Sequence, residues 1–237
     1  MLVKACLNGA RRRTDHPGVP VTPEELAAAG RAVVAAGAGA IHMHPRGDDG
    51  AESLDGAAID PAVAAVRAAV DVPFGVSTGA WFLPDPADRL AAIATWTERP
   101  DFASVNIHEP GALDIADALL AKGVGVEAGL WHGEAAALLV ESGLAERCTR
   151  ILLEPLMQDL DDALAAVADM EAALGDVAPG VPRLLHGYQA TAWAVVDVAI
   201  ERGYDTRIGM EDTVTLPDGS LATDNAQLVR TVVGRIR

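Results

Sequence analysis

Two histidines separated by a single residue, His42 and His44, close the apolar run Ala40-Ile41-His42-Met43-His44-Pro45-Arg46. Side chains two apart on a strand point to one face and stand about 6–7 Å apart at the backbone, so both imidazoles can reach one metal ion. The pair alone suits equally well a strand capped by half-buried histidines, because two ligands do not complete a site. A third donor, Glu211, lies far along the chain in the segment Arg207-Ile208-Gly209-Met210-Glu211-Asp212. Two imidazoles and one carboxylate leave coordination positions open, which is the donor set of a catalytic zinc; manganese, iron and cobalt accept the same ligands. Arg207, four residues before Glu211, faces the same side of an extended run, and Asp212 follows Glu211 directly. A plain ion pair holding the strand end is the alternative reading of those two residues.

For these donors to meet, the chain must bring residue 211 back beside residue 42. Short apolar runs at residues 2–7, 39–44, 72–77, 102–107, 124–127, 150–154, 183–186 and 206–210 read as strands, each followed by a helical stretch. The first helix is announced by Thr22-Pro23-Glu24-Glu25, an N-cap, a proline at the first helical position and two carboxylates in the first turn. Eight strand–helix pairs with short connections predict a single-domain (β/α)8 TIM barrel over residues 1–237. A doubly wound open sheet is the second choice, but Asn8-Gly9-Ala10 is not the glycine-rich phosphate turn such a sheet carries after its first strand. In a closed barrel the eighth strand lies two strands from the second, so His42, His44 and Glu211 converge on one side of the mouth.

The C-terminal strand ends of a barrel form its catalytic face. They carry here Asn8, His42, His44, Ser77, Asn106, His108, Glu127, Glu154, His186, Glu211 and Asp212. Burying bare carboxylates or imidazolium ions costs several kcal/mol each, and one bound cation offsets several of them at once. A cation with open positions can also chelate a β-keto acid through its keto oxygen and carboxylate, and stabilise the enolate formed when a carbon–carbon bond breaks.

Composition narrows the partners. With 18 basic and 34 acidic side chains the net charge is −16, which repels nucleic acid and anionic membrane surfaces at long range. Arg11-Arg12-Arg13 is the densest basic cluster, either a solvated loop or a patch able to hold an anion. Two cysteines, Cys6 and Cys148, without CxxC spacing support neither a disulfide framework nor a thiolate zinc site. No basic-then-apolar leader opens the sequence and charges interrupt every apolar helical stretch, so a soluble, cytoplasmic protein is expected.

The chain resembles the β-keto acid cleavage enzyme family, whose founding activity is 3-keto-5-aminohexanoate cleavage. The resemblance runs nearly end to end, through Asn8-Gly9-Ala10, His16-Pro17, Pro20-Val21-Thr22-Pro23-Glu24-Glu25, the His42–His44 strand and Arg207-Ile208-Gly209-Met210-Glu211-Asp212. It implies a zinc-dependent (β/α)8 acyltransferase, a homo-oligomer (tetramer or dimer), that condenses a β-keto acid with acetyl-CoA. The products are acetoacetate and a new acyl-CoA, released by retro-Claisen cleavage. It further implies His42, His44 and Glu211 as metal ligands, Arg207 and Asp212 in substrate deprotonation, Ser77 in substrate binding, and Ser104, Asn106 and Glu127 along the pocket. A glutamate that recognises the ammonium group in the aminohexanoate enzyme aligns with Arg11 here. An arginine repels an ammonium and attracts a carboxylate, so a neutral or acid-tailed β-keto acid is expected. His108 and Glu109 replace a small, glycine-containing stretch, and the shorter chain implies trimmed loops.

Two further readings differ in kind. A metal-dependent retro-aldolase or hydrolase would cleave without CoA, and a non-catalytic barrel would sense an acyl-CoA or keto acid. Dependence on acetyl-CoA separates the first from the family reaction, and turnover of any kind separates the second.

Overall fold

The computed structural model describes residues 1–236. Eight parallel strands, β1 (Val3–Cys6), β2 (Ala40–Met43), β3 (Phe74–Ser77), β4 (Phe102–Asn106), β5 (Gly125–Leu130), β6 (Arg150–Leu153), β7 (Arg183–Leu185) and β8 (Asp205–Ile208), pair in chain order, and β8 closes on β1. Helices α1 (Pro23–Ala35), α2 (Gly56–Arg67), α3 (Pro86–Ala94), α4 (Ala112–Ala121), α5 (Gly133–Glu141), α6 (Leu160–Leu174), α7 (Ala192–Arg202) and α8 (Asn225–Ile236) alternate with them. This is the TIM barrel that the alternation predicts. α1 starts as its sequence dictates: Thr22 Oγ1 accepts from Glu25 N, and the Glu25 carboxylate accepts from Val21 N and Thr22 N.

The period-two alternation of the strands divides polar from apolar. Val3, Ala5, Ile41, Met43, Val76, Val105, Val126, Ile151, Leu153 and Ile208 belong to one buried apolar cluster with Leu26, Ile59, Ile93, Leu119, Leu139, Val167 and Val196 of the helices. The intervening residues face the barrel interior, and several are charged. Lys4 Nζ reaches across from β1 to Glu127 Oε2 on β5 at 2.5 Å, and Arg150 Nη1 holds Glu127 Oε1 at 2.5 Å. Asp205 completes the set, 3.5 Å from Arg150 Nε. Lys4 and Glu127 are both fully buried.

Most strands differ by a residue or two from the ranges expected, and three of the differences bear directly on candidate residues. β5 continues to Leu130 instead of stopping at residue 127, so Glu127 is an interior mid-strand residue. A carboxylate reads as a strand end when its partners are unknown; Lys4 and Arg150 are what let it stay inside. β8 ends at Ile208 because Gly209 O accepts from both Asp212 N and Thr213 N (2.9 and 3.0 Å), turning the chain before Glu211. β2 ends at Met43, one residue before His44.

Both cysteines are buried and free. Burial pushes the Cys148 thiol up to about 12, Arg147 opposing only in part, and raises Cys6 well above the usual thiol range. Both therefore stay protonated near neutrality, and native protein is expected to leave a thiol-titrating reagent unreacted until denaturant is added; two equivalents consumed without denaturant would contradict this. Replacing Glu127 by Gln strands Lys4 as a buried cation and leaves Arg150 with Asp205 as its one carboxylate partner among the described residues. The expected cost is about 3–5 kcal/mol, read as a lower denaturant midpoint at unchanged slope.

Candidate active site

The two imidazoles are set by different means. β2 turns His42 into the barrel mouth, while His44 is fixed through its main chain by Asn8. His44 N donates to Asn8 Oδ1 at 2.8 Å, and Asn8 Nδ2 donates to His44 O at 2.9 Å. One side-chain amide thus extends the β1–β2 ladder a step past its end. Glu211 arrives from the turn after β8, its amide N–H donating to Cys6 O at 3.3 Å. Gly9, at φ +54, lies beneath it; a Cβ there would stand 2.9 Å from Glu211 Cβ and collide with Cγ, so only glycine leaves room for this carboxylate.

The three ligand atoms converge. His42 Nε2 and His44 Nε2 are 3.0 Å apart, and Glu211 Oε2 is 3.7 Å from the first and 3.5 Å from the second. Donors about 2.0–2.2 Å from a tetrahedral ion stand roughly 3.3–3.5 Å from one another, so the separations bracket what one cation requires. Glu211 Oε2 is buried without a hydrogen-bond partner. Burial lowers the His42 pKa well below the usual imidazole range despite the opposing charge of Glu211, which keeps the ring neutral and its lone pair available. Burial pushes the Glu211 carboxyl up, but Arg207 and the two histidines outweigh it and hold it far below the usual range. Imidazole nitrogens from two histidines, with His42 held neutral, and an ionised carboxylate with an unsatisfied oxygen fit a divalent cation.

Two carboxylates support this cluster from outside. Glu52, in the loop after β2, accepts from His44 Nδ1, which leaves Nε2 of that ring as the lone-pair nitrogen. Glu52 also accepts from Trp81 Nε1 at 3.1 Å, and the Trp81 indole stacks on His44 with centroids 6.0 Å apart. On the β8 side, Arg207 Nη2 donates to Glu211 Oε1 at 2.9 Å and to Asp212 Oδ1 at 2.7 Å. Asp212 is fully buried and its Oδ2 has no partner; burial raises its pKa above the usual carboxylate value, against the pull of Arg207. His186 sits between two carboxylates, Nδ1 3.7 Å from Asp212 Oδ1 and Nε2 3.7 Å from Glu154 Oε2.

A cavity of about 470 Å³ opens over this assembly. Of the residues singled out in the sequence, His42, His44, Glu211, Arg207, Ser77, Ser104, Asn106 and Arg11 line it together. Asp212 stands behind Arg207, off the wall, and Glu127 is tied into the Lys4–Arg150 network instead of lining the cavity. Trp131, Leu156 and Tyr188 also form wall, as do Glu154 and Trp81. None of the first three carried a sequence signal, since an aromatic or leucine just past a strand reads as packing. Asn106 is oriented by Glu109, which can only accept: Asn106 Nδ2 donates to it at 2.8 Å, leaving Oδ1 for the interior. Buried Arg89 holds the other Glu109 oxygen at 2.9 Å, as does Ala80 N.

Fold and site together define a parallel barrel with a cluster able to hold a divalent cation at its catalytic end. The family model described as beta-keto acid cleavage enzyme matches residues 1–237, and the chain belongs to that family. It is similar to 3-keto-5-aminohexanoate cleavage enzyme of Fusobacterium nucleatum, 25% identical over 248 residues covering 98% of this chain and 90% of the relative. The enzyme of that name from Acetoanaerobium sticklandii is 22% identical over 249 residues, with the same coverage of 98% and 90%. Among solved structures, ObcA in ternary complex with a C4-CoA adduct and oxalate shares the fold at TM-score 0.68 and 18% identity, over 93% of this chain and 64% of that one. The ObcA complex with oxaloacetate gives TM-score 0.69 at 17% identity, over 92% and 63%. The chain thus spans less than two thirds of the length of ObcA.

Because Glu52 fixes the ring and tautomer of His44, Glu52→Ala is expected to weaken divalent-metal affinity about 10–100-fold, read by chelator competition without any activity assay. Unchanged affinity would deny Glu52 this part.

Proposed function

We propose that the protein is an acyltransferase that condenses a β-keto acid with acetyl-CoA and releases acetoacetate and a new acyl-CoA, with zinc held by His42, His44 and Glu211. The observation that carries the reading is the convergence of those three ligand atoms beside the Arg207–Asp212 pair, in a chain matched over its whole length by a family of carbon–carbon cleaving enzymes. When bound, the cation supplies a Lewis acid for the keto oxygen and carboxylate of the substrate.

The chain's own residues do the rest. Deprotonation of the substrate's α-carbon falls to the Arg207–Asp212 pair: Arg207 lines the cavity, and behind it stands Asp212, whose Oδ1 alone is engaged and whose Oδ2 remains free. The pKa of Asp212, raised by burial, makes it a stronger base than a solvated carboxylate. Arg207 keeps its charge, because Asp212, Glu211 and Glu154 outweigh the effect of burial, and presents a fixed cation to the enolate oxygen. Ser77 and Ser104 offer hydroxyls, and Asn106 a carbonyl oxygen, to orient the substrate on the opposite wall. The balance closes: the acyl group of the keto acid leaves on the CoA sulfur, and the acetyl group ends on the carboxymethyl carbon.

Arg11 sets the tail preference. It lines the cavity with no carboxylate within 4 Å among the described residues, and Asp15, on the same wall, accepts from Arg12 N at 2.7 Å. A neutral or acidic tail suits this wall and an ammonium does not. The enzyme would work as a cytoplasmic homo-oligomer, a tetramer or dimer; no helix among the described residues is long and apolar enough to cross a membrane.

A panel of β-keto acids assayed with and without acetyl-CoA tests the reading. Acetoacetate is expected only when acetyl-CoA is present, with neutral and dicarboxylic substrates ahead of 3-keto-5-aminohexanoate. Cleavage independent of acetyl-CoA would mark a retro-aldolase or hydrolase, and binding without turnover a sensor. His42→Ala and Glu211→Ala are each expected to lose bound metal and activity together.

A further inference from the structure

Beside the catalytic cavity lies a second pocket of about 330 Å³, between the loops that follow β1 and β2. Its walls carry Arg11, Arg12, Arg13 and Arg46, with Asp49 as its one acidic side chain. Arg11 belongs to both pockets. In a chain with 34 acidic and 18 basic side chains, most guanidinium groups find a carboxylate. Here only Arg13 does, with Glu25; among the described residues Arg11, Arg12 and Arg46 have no carboxylate within 4 Å.

The cluster is held open by main-chain bonds instead of by counter-charges. Arg46 Nη2 donates to Gly9 O and, at 3.1 Å, to Arg11 O, stitching the two loops together. The Nε atoms of Arg11 and Arg46 are buried without a partner. Asp49 Oδ1 is occupied by Ala51 N at 2.9 Å. Like charges gathered in a concave site, with donors unsatisfied and one oxygen of the pocket's single acid engaged, describe a receptor for a multiply charged anion. Guanidinium forks match phosphate oxygens in particular.

We infer that this arginine-walled pocket binds the phosphate-bearing nucleotide end of the CoA thioester, whose acyl end enters the adjoining cavity past Arg11. The inference rests on the acetyl-CoA reading of the reaction and adds to it where the anionic end of that substrate is held. CoA joins its diphosphate and ribose phosphate to the thioester through a long flexible arm, so two separate sites joined at Arg11 suit its shape. A free phosphate would use the same chemistry, and the test distinguishes the two sources.

The experiment compares KM for acetyl-CoA with KM for acetyl-pantetheine, which lacks the phosphates, in the wild type, in Arg12→Glu and in Arg31→Glu. Arg31→Glu makes the same change in net charge on the exposed side of α1. Wild type is expected to favour acetyl-CoA by about tenfold or more, and Arg12→Glu to abolish that preference while Arg31→Glu retains it. An unchanged preference in Arg12→Glu overturns the site and leaves the reaction standing. Should no β-keto acid turn over with acetyl-CoA, the reaction fails, and calorimetry with adenosine 3′,5′-bisphosphate still decides the pocket. Binding lost in Arg12→Glu supports it, and no binding to the wild type overturns it. Inorganic phosphate competing as well as the bisphosphate at matched ionic strength would show a simple anion site and overturn the nucleotide assignment.

Discussion

Charge inside the barrel must be matched within the barrel, and the rest of the architecture follows from that constraint. Eight strands turn alternate residues into a narrow interior where an unpaired ion costs several kcal/mol. Deep in the barrel the balance closes without a ligand: Lys4 and Arg150 bracket Glu127, and Asp205 faces Arg150. Towards the mouth it does not close. Glu211 Oε2, Asp212 Oδ2 and His186 Nε2 are all buried without partners, although Arg207 spans Glu211 and Asp212. The deep layer thus pairs its charges internally, and the upper layer keeps buried polar atoms that no protein group satisfies.

This division explains why parts of the site were legible in the sequence and parts were not. The barrel could be read because its evidence is local and repeated: apolar runs of strand length alternating with capped helices. His42 and His44 could be read because strand periodicity alone puts them on one face. Glu211 was recognisable beside them only once the barrel closed β8 against β1. Glu127 reads as a pocket residue in the sequence because its partners are 123 and 23 residues away, and only the fold discloses that they bracket it. Glu52 carried no signal at all. It lies in an irregular loop, and its bond to His44 depends on the turn that follows Pro45.

The ligand-bearing loops owe their precision to small groups more than to large ones. The Asn8 amide does the work of a missing strand residue for His44, and the absent side chain of Gly9 makes room for Glu211. Both lie in the short run after β1, so one loop controls the approach of donors from β2 and from β8. The same loop continues into Arg11, which lines both the main cavity and the neighbouring arginine-walled pocket.

Trp81 gives the mouth of the barrel one more property. Its indole is 48% exposed, stacks on His44 and shares Glu52 with it, and Trp131 lines the same cavity. The other two tryptophans are anchored elsewhere, Trp96 to Leu54 O and Trp193 to Thr215 O. Half of the chain's near-ultraviolet emitters therefore look into the site, so the intrinsic fluorescence of the unlabelled protein is an optical gauge of its occupancy.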